Sequence, residues 1–126
     1  MISLNDALRT ARLQLLADAM SGGTLTLYNA PQPAIGAPIT TQTALVTVEI
    51  PTGLIVVDAV LSITLTMTTI LVSAEAEWGR ITDASDDFVL DGDCGVLNST
   101  ALFKLRTTYL QAGASLIPLS ASFAES

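Results

Sequence analysis

The feature that most constrains this chain is the change of period at Gly22-Gly23. Before it, ISLNDALRTARLQLLADAM carries Leu4, Leu8, Ala11 and Leu15 at helical spacing in an Ala- and Leu-rich context. Ser3 followed by Asp6 resembles a capping box with Asp in place of Glu or Gln, and the two glycines form the stop expected past a helix end. One amphipathic helix over roughly residues 4–20 is predicted. After the glycines the period is two. TLTLYN sets Leu25 and Leu27 against Thr24, Thr26 and Tyr28, and TALVTVEI sets Ala44, Val46, Val48 and Ile50 against Leu45, Thr47 and Glu49. No helix can use such a pattern, so the rest of the chain has to solve its folding problem with sheets.

The remaining candidate strands are LIVVDAVL, SITLTMTT, AEAEWGRIT, DFVLDG, ALFKLRTT and SLIPLSASF, linked by Gly, Pro, Asp and Asn turns. About eight short strands after a single helix predict a mainly β fold, an antiparallel β-sandwich or jelly roll. At 126 residues the chain reads as one domain, with residues 1–22 as a helix or arm and 23–126 as the sandwich. In AEAEWGRIT, Trp78 and Arg80 fall on one face, where ring and guanidinium stem can stack. APQPAIGAP is an irregular loop, because its prolines cannot join a central ladder. Residues 53–72 are long enough to span a bilayer, yet Asp58 and a threonine alternation mark two strands instead. Residues 1–20, with Asp6, Arg9, Arg12 and Asp18, lack the continuous apolar centre of a secretory signal.

Charge removes several functions. The net charge is −7, and five basic residues (Arg9, Arg12, Arg80, Lys104, Arg106) are too few for the positive stripe that nucleic acid needs. Histidine is absent, and Cys94 is alone, which removes the commonest general base, disulfides and thiolate metal clusters. Serines and threonines therefore have no histidine to activate them, and no nucleophile elbow is present. A non-enzyme without cofactor is expected. Charged residues are only 13% of a chain that is 50% hydrophobic, so much of its surface is expected to be covered by other subunits.

The segment WGRITDASDDFVLDGDCG holds five aspartates, Asp83, Asp86, Asp87, Asp91 and Asp93. Oxygen-rich loops can bind calcium, which makes these five weak metal candidates. Their spacing does not follow the alternate acids, central Gly and terminal Glu of an EF-hand. Hairpin turns, in which Asp and Ser side chains bond nearby backbone N–H groups, explain them better.

Taken together, LxxALRxAR, Gly-Gly, TLTLYN, a Pro-rich segment, WGRITDASDDFVLDGDCG and LFKLRTTYLQAGASLIPLSASF resemble a group of small bacteriophage virion proteins over nearly the whole chain. These are similar to jelly-roll head decoration, or cement, proteins. The resemblance implies a structural subunit on the outside of a phage head, assembled in the host cytoplasm, with the major capsid protein and further copies of itself (a dimer or trimer) as partners. No nucleic-acid or membrane partner is expected, on the charge and the strand pattern given above. Alternatives are a collar, tail or fibre-associated structural protein, a carbohydrate- or receptor-binding jelly roll, or a small hydrolase with a metal at Asp83 to Asp93. Gly79 stands where a bulkier residue is usual, Asp86-Asp87 replaces a simpler turn, and Pro118 is expected to interrupt the last strand. Contacts are expected on the helix at Arg9 and Arg12, and on the loop at Pro31, Pro33 and Pro38, whose prolines leave little entropy to lose on docking.

Overall fold

A computed structural model describes residues 6–34, 36–54, 56–57, 60–67, 70–113 and 117–124. Helix α1 (Asp6–Met20) is followed by strands β1 (Thr24–Tyr28), β2 (Ala44–Glu49), β3 (Val60–Met67), β4 (Ala74–Glu75), β5 (Trp78–Thr82), β6 (Phe88–Val96), β7 (Phe103–Leu105), β8 (Tyr109–Leu110) and β9 (Ile117–Ala124). The protein is mainly β with one N-terminal helix. Seven strands form one sheet in the order β2-β1-β5-β6-β7-β9-β3, and β4 pairs with β8 in a separate ribbon. The long sheet curls until its terminal strands β2 and β3 lie against each other, an arrangement consistent with a sandwich or jelly roll. Leu71 N–H donates to the Leu45 carbonyl (2.8 Å) beside this seam.

Strand β6 makes the curl possible. Its first part, Phe88 to Asp93, pairs antiparallel with β5, and its last part, Cys94 to Val96, pairs parallel with β7. A parallel pair does not follow from a chain of hairpins. Here the backbone doubles back between Val96 and Phe103, and the Asp93 carboxylate accepts the Leu102 N–H (2.9 Å), holding that return in place.

The alternating residues are buried where the period requires. Leu25 and Leu27 of β1, Leu61, Ile63 and Leu65 of β3, and Leu119, Ala121 and Phe123 of β9 enter the core. In β2 both Leu45 and Val46 are buried, which strict alternation does not allow. The register slips there, from Leu27 opposite Val46 to Tyr28 opposite Ala44, and the extra residue of this bulge turns Leu45 inward.

Four expectations need correction. AEAEWGRIT is not one strand: Ala74–Glu75 forms β4 of the ribbon and Trp78–Thr82 forms β5 of the long sheet. The predicted stripe of α1 faces out: Leu8 is 47% and Leu15 71% exposed, and Ala11 is exposed. The seated face is Leu13, Ala17 and Met20, flanked by Leu16. Both sets repeat at helical spacing, and the position of Met20 just before the glycine turn decides between them. Gly22, at φ 75°, donates its N–H to the Ile50 carbonyl (3.1 Å), and Ile50 N–H donates to Gly23 (2.9 Å), so the helix end is pulled onto the end of β2. LIVVDAVL is not one strand among its described residues: Val57 and Val60 exchange backbone hydrogen bonds (3.0 and 2.9 Å), and β3 begins only at Val60. Pro118 does not interrupt β9. It lies opposite Thr66, one residue past the point where β7 ends opposite Leu119, so no β7 residue stands beside it. Leu4 and the Ser3–Asp6 capping box lie outside the described residues and side chains.

Gly79 has a packing reason. It stands opposite Gly92 in the β5–β6 register, and the ring of Phe103, fully buried, lies over both. A Cβ at Gly79 would come within 2.9 Å of Leu27 Cδ2 and 3.1 Å of Phe103 Cε2. The pair of glycines makes room for the ring that joins the two halves of the sheet.

Candidate functional site

The five aspartates do not form one cluster. Asp83 organises the β5–β6 turn: its carboxylate accepts the N–H groups of Ser85 (2.8 Å) and Asp87 (2.9 Å), and its backbone pairs with Asp86 and Asp87. Asp86 occupies the left-handed position of that turn, at φ 65°, a conformation that Asp tolerates better than most residues. Asp86 and Asp87 themselves are exposed at the tip. Asp93 holds the Leu102 amide, as described above, and Asp91 serves a different centre. Among the described residues, no three His, Cys, Asp or Glu side chains converge on a point where a cation could sit.

Asp91 grips Arg80 with both oxygens: Nε donates to Oδ1 (2.7 Å) and Nη2 to Oδ2 (3.0 Å). The Asp91 side chain is fully enclosed, and that of Arg80 is 10% exposed. The guanidinium carbon lies 5.3 Å from the Trp78 ring centre and 5.4 Å from that of Phe88, while Tyr28 stacks on Trp78 at 4.6 Å. The expected Trp78–Arg80 stack is therefore present, as the middle of a longer pile. The hydrogen bonds to Asp91 push the Arg80 pKa up, against the opposing effect of burial. An ion pair used up in this way is structural.

That pile also anchors the proline loop. Gly36 N–H donates to Asp91 Oδ2 (3.2 Å), Gln42 Nε2 to the Pro31 carbonyl (3.0 Å), and Thr43 N–H to Asn29 Oδ1 (2.9 Å). Pro31 and Pro38 are exposed and Pro33 is half-buried. On the helix, Arg12 is exposed beside Leu8 and Leu15, and Arg9 is half-buried. The loop is tied to β6 and the helix to β3 and Leu54, whose carbonyl accepts from Gln14 (3.1 Å), so the two predicted contact regions sit on different elements.

Cys94 is half-buried, and its thiol is pushed from 9.0 up to about 12 by burial and then by the neighbouring Asp93 charge. It stays protonated, which makes it a poor nucleophile. Of the three aromatics that could serve a sugar, Trp78 is buried and Tyr28 is stacked on it, while Tyr109 on β8 is half exposed.

Two of the hollows on the surface are lined by described residues of interest. The larger of the two, about 400 Å³, is lined by Gly22, Glu49, Ile50, Pro51 and Thr52, and Glu49 is the single charged side chain among these described residues. The second, about 250 Å³, lies across the outer face of β7, β9 and β3 and holds both Lys104 and Arg106 beside Leu97, Pro118 and Thr64. Sequence reasoning missed this groove. The signal available was the two-residue spacing of Lys104 and Arg106, which puts both on one face of a strand.

No family model, curated protein or solved structure matches this chain. No helix of the described residues is long and apolar enough to cross a membrane.

Proposed function

We propose that this chain is a structural virion subunit that decorates the outside of a phage head and stabilises it by burying surface against neighbouring subunits. The observation that carries the reading is the outward face of α1. A helix seated by Leu13, Ala17 and Met20 presents Leu8 and Leu15 on its other side, with Arg12 between them. Fully burying an exposed leucine contributes roughly 1.5–3 kcal/mol, and Leu15 (71% exposed) and Leu8 (47%) each offer part of that, which repeated over a shell makes a useful contact. The proline loop supplies a second, pre-organised contact, since its hydrogen bonds to Asp91 and Gln42 already limit its conformations. The family resemblance of the helix, TLTLYN and WGRIT segments points the same way. Partners on this reading are the major capsid protein and other copies of the chain.

The test uses heads stripped of decoration. Purified protein is expected to co-sediment with them and to raise the temperature at which they release DNA. Heads that come apart at the same temperature with and without the protein, and never carry it into the pellet, would remove the proposal.

A further inference from the structure

The groove on β7, β9 and β3 has a composition that stands out on this acidic chain. Thr64, Ser120 and Lys104 form one cross-strand row, since Ser120 is opposite both Thr64 and Lys104. Arg106 lies two residues further along, and Leu97, Leu119 and Pro118 supply apolar walls. Among the described residues neither Lys104 nor Arg106 has an ion-pair partner. A ligand for this groove needs two adjacent negative charges and an apolar group beside them.

The same chain carries such a segment. Asp86, Asp87 and Phe88 are consecutive and exposed at the β5–β6 turn, with Phe88 still 42% exposed although its ring meets Arg80. The tip and the groove flank opposite ends of β6, whose nine residues extend about 30 Å at 3.3–3.4 Å each. Within one molecule they cannot meet. Between molecules they can.

We infer that the groove receives the hairpin tip of a second copy, with Asp86 and Asp87 against Lys104 and Arg106, and Phe88 against Leu97. Such a contact uses different surfaces on the two partners, so it builds a ring if the rotation closes and a filament if it does not. It leaves the outward face of α1 untouched, although Phe88 lies against Gly36 of the proline loop, and a variant of α1 tests binding to a head separately.

Charge reversal with complementation tests it by sedimentation velocity at about 0.1 M salt, where a screening length of about 10 Å damps the repulsion between whole molecules. Asp86 sits at φ 65°, which Asn tolerates and Lys does not favour, so the tip variant is D86N/D87K and the groove variant is K104E/R106E. Wild-type mass is expected to rise above 13.1 kDa with concentration. Each variant alone stays monomeric, and their equimolar mixture regains mass, because the reversed tip fits the reversed groove and the two unaltered surfaces fit each other. The single substitutions D87K and R106E, both at exposed positions, repeat the test if either double variant loses its β circular dichroism. A wild type that is monomeric up to about 1 mM, the weak end of specific association, would overturn the inference. So would variants that associate like wild type, or a mixture that stays monomeric.

Discussion

Arg80 and the Lys104–Arg106 pair sit on two regions of the same sheet, and the fold treats them in opposite ways. Arg80 is enclosed between two rings, holds both oxygens of a buried carboxylate and has little left to offer a partner. Lys104 and Arg106 line an open groove among hydroxyl and apolar groups. The difference lies in what stands across the strand. Arg80 is opposite Asp91 in the β5–β6 register, whereas Lys104 is opposite Ser120. A cation matched inside the sheet becomes part of its framework, and one matched only by a hydroxyl remains available to another molecule.

The largest expected effect is on the framework side. Asp91→Ala leaves an enclosed guanidinium unmatched and frees Gly36, and it is expected to cost about 3–5 kcal/mol in urea unfolding at pH 7. The double replacement R80M/D91L removes both charges and is expected to cost less than D91A alone. On the other side, K104A/R106A is expected to stay within about 0.5 kcal/mol of wild type. Equal costs for D91A and K104A/R106A would erase the distinction between the two regions.

Cys94, at the bend of β6 between them, gives an effect confined to alkaline pH, with a definite sign. Its folded-state pKa is raised, so between 9.0 and about 12 the unfolded chain loses a proton that the folded chain keeps. The stability is fully present below pH 9 and falls as pH rises through this window, with a slope of at most about 1.4 kcal/mol per pH unit. Unfolding midpoints of wild type and Cys94→Ala should diverge across that range and run parallel below it. A C94A profile that follows wild type throughout would show that the thiol is not desolvated.

Much of the fold is legible in the sequence because alternation is a local signal. Leu25 and Leu27, or Ile63 and Leu65, announce both the strand and its buried face. The Trp78–Arg80 stack was legible for the same reason, as a consequence of two-residue spacing. What could not be read depends on partners far along the chain. Nothing near Leu45 signals that a register slip against Tyr28 turns it inward. Asp91 and Asp93 are two residues apart and look alike, yet one binds Arg80 and the other the Leu102 amide, according to which strand lies beside each. The two candidate stripes of α1 have equal periodicity, and only the seating of Met20 by the glycine turn chooses between them. The groove at Lys104 needs three strands from distant parts of the sequence before it exists.

The smallest effect on stability is also the one that bears most directly on function. Leu8→Ser with Leu15→Ser alters only the outward face of α1, and urea unfolding should move by no more than about 0.5 kcal/mol. The decisive quantity is the number of copies of this variant that co-sediment with stripped heads, compared with wild type at the same concentration. The account predicts a folded protein that no longer decorates. A folded variant bound at wild-type stoichiometry would contradict it.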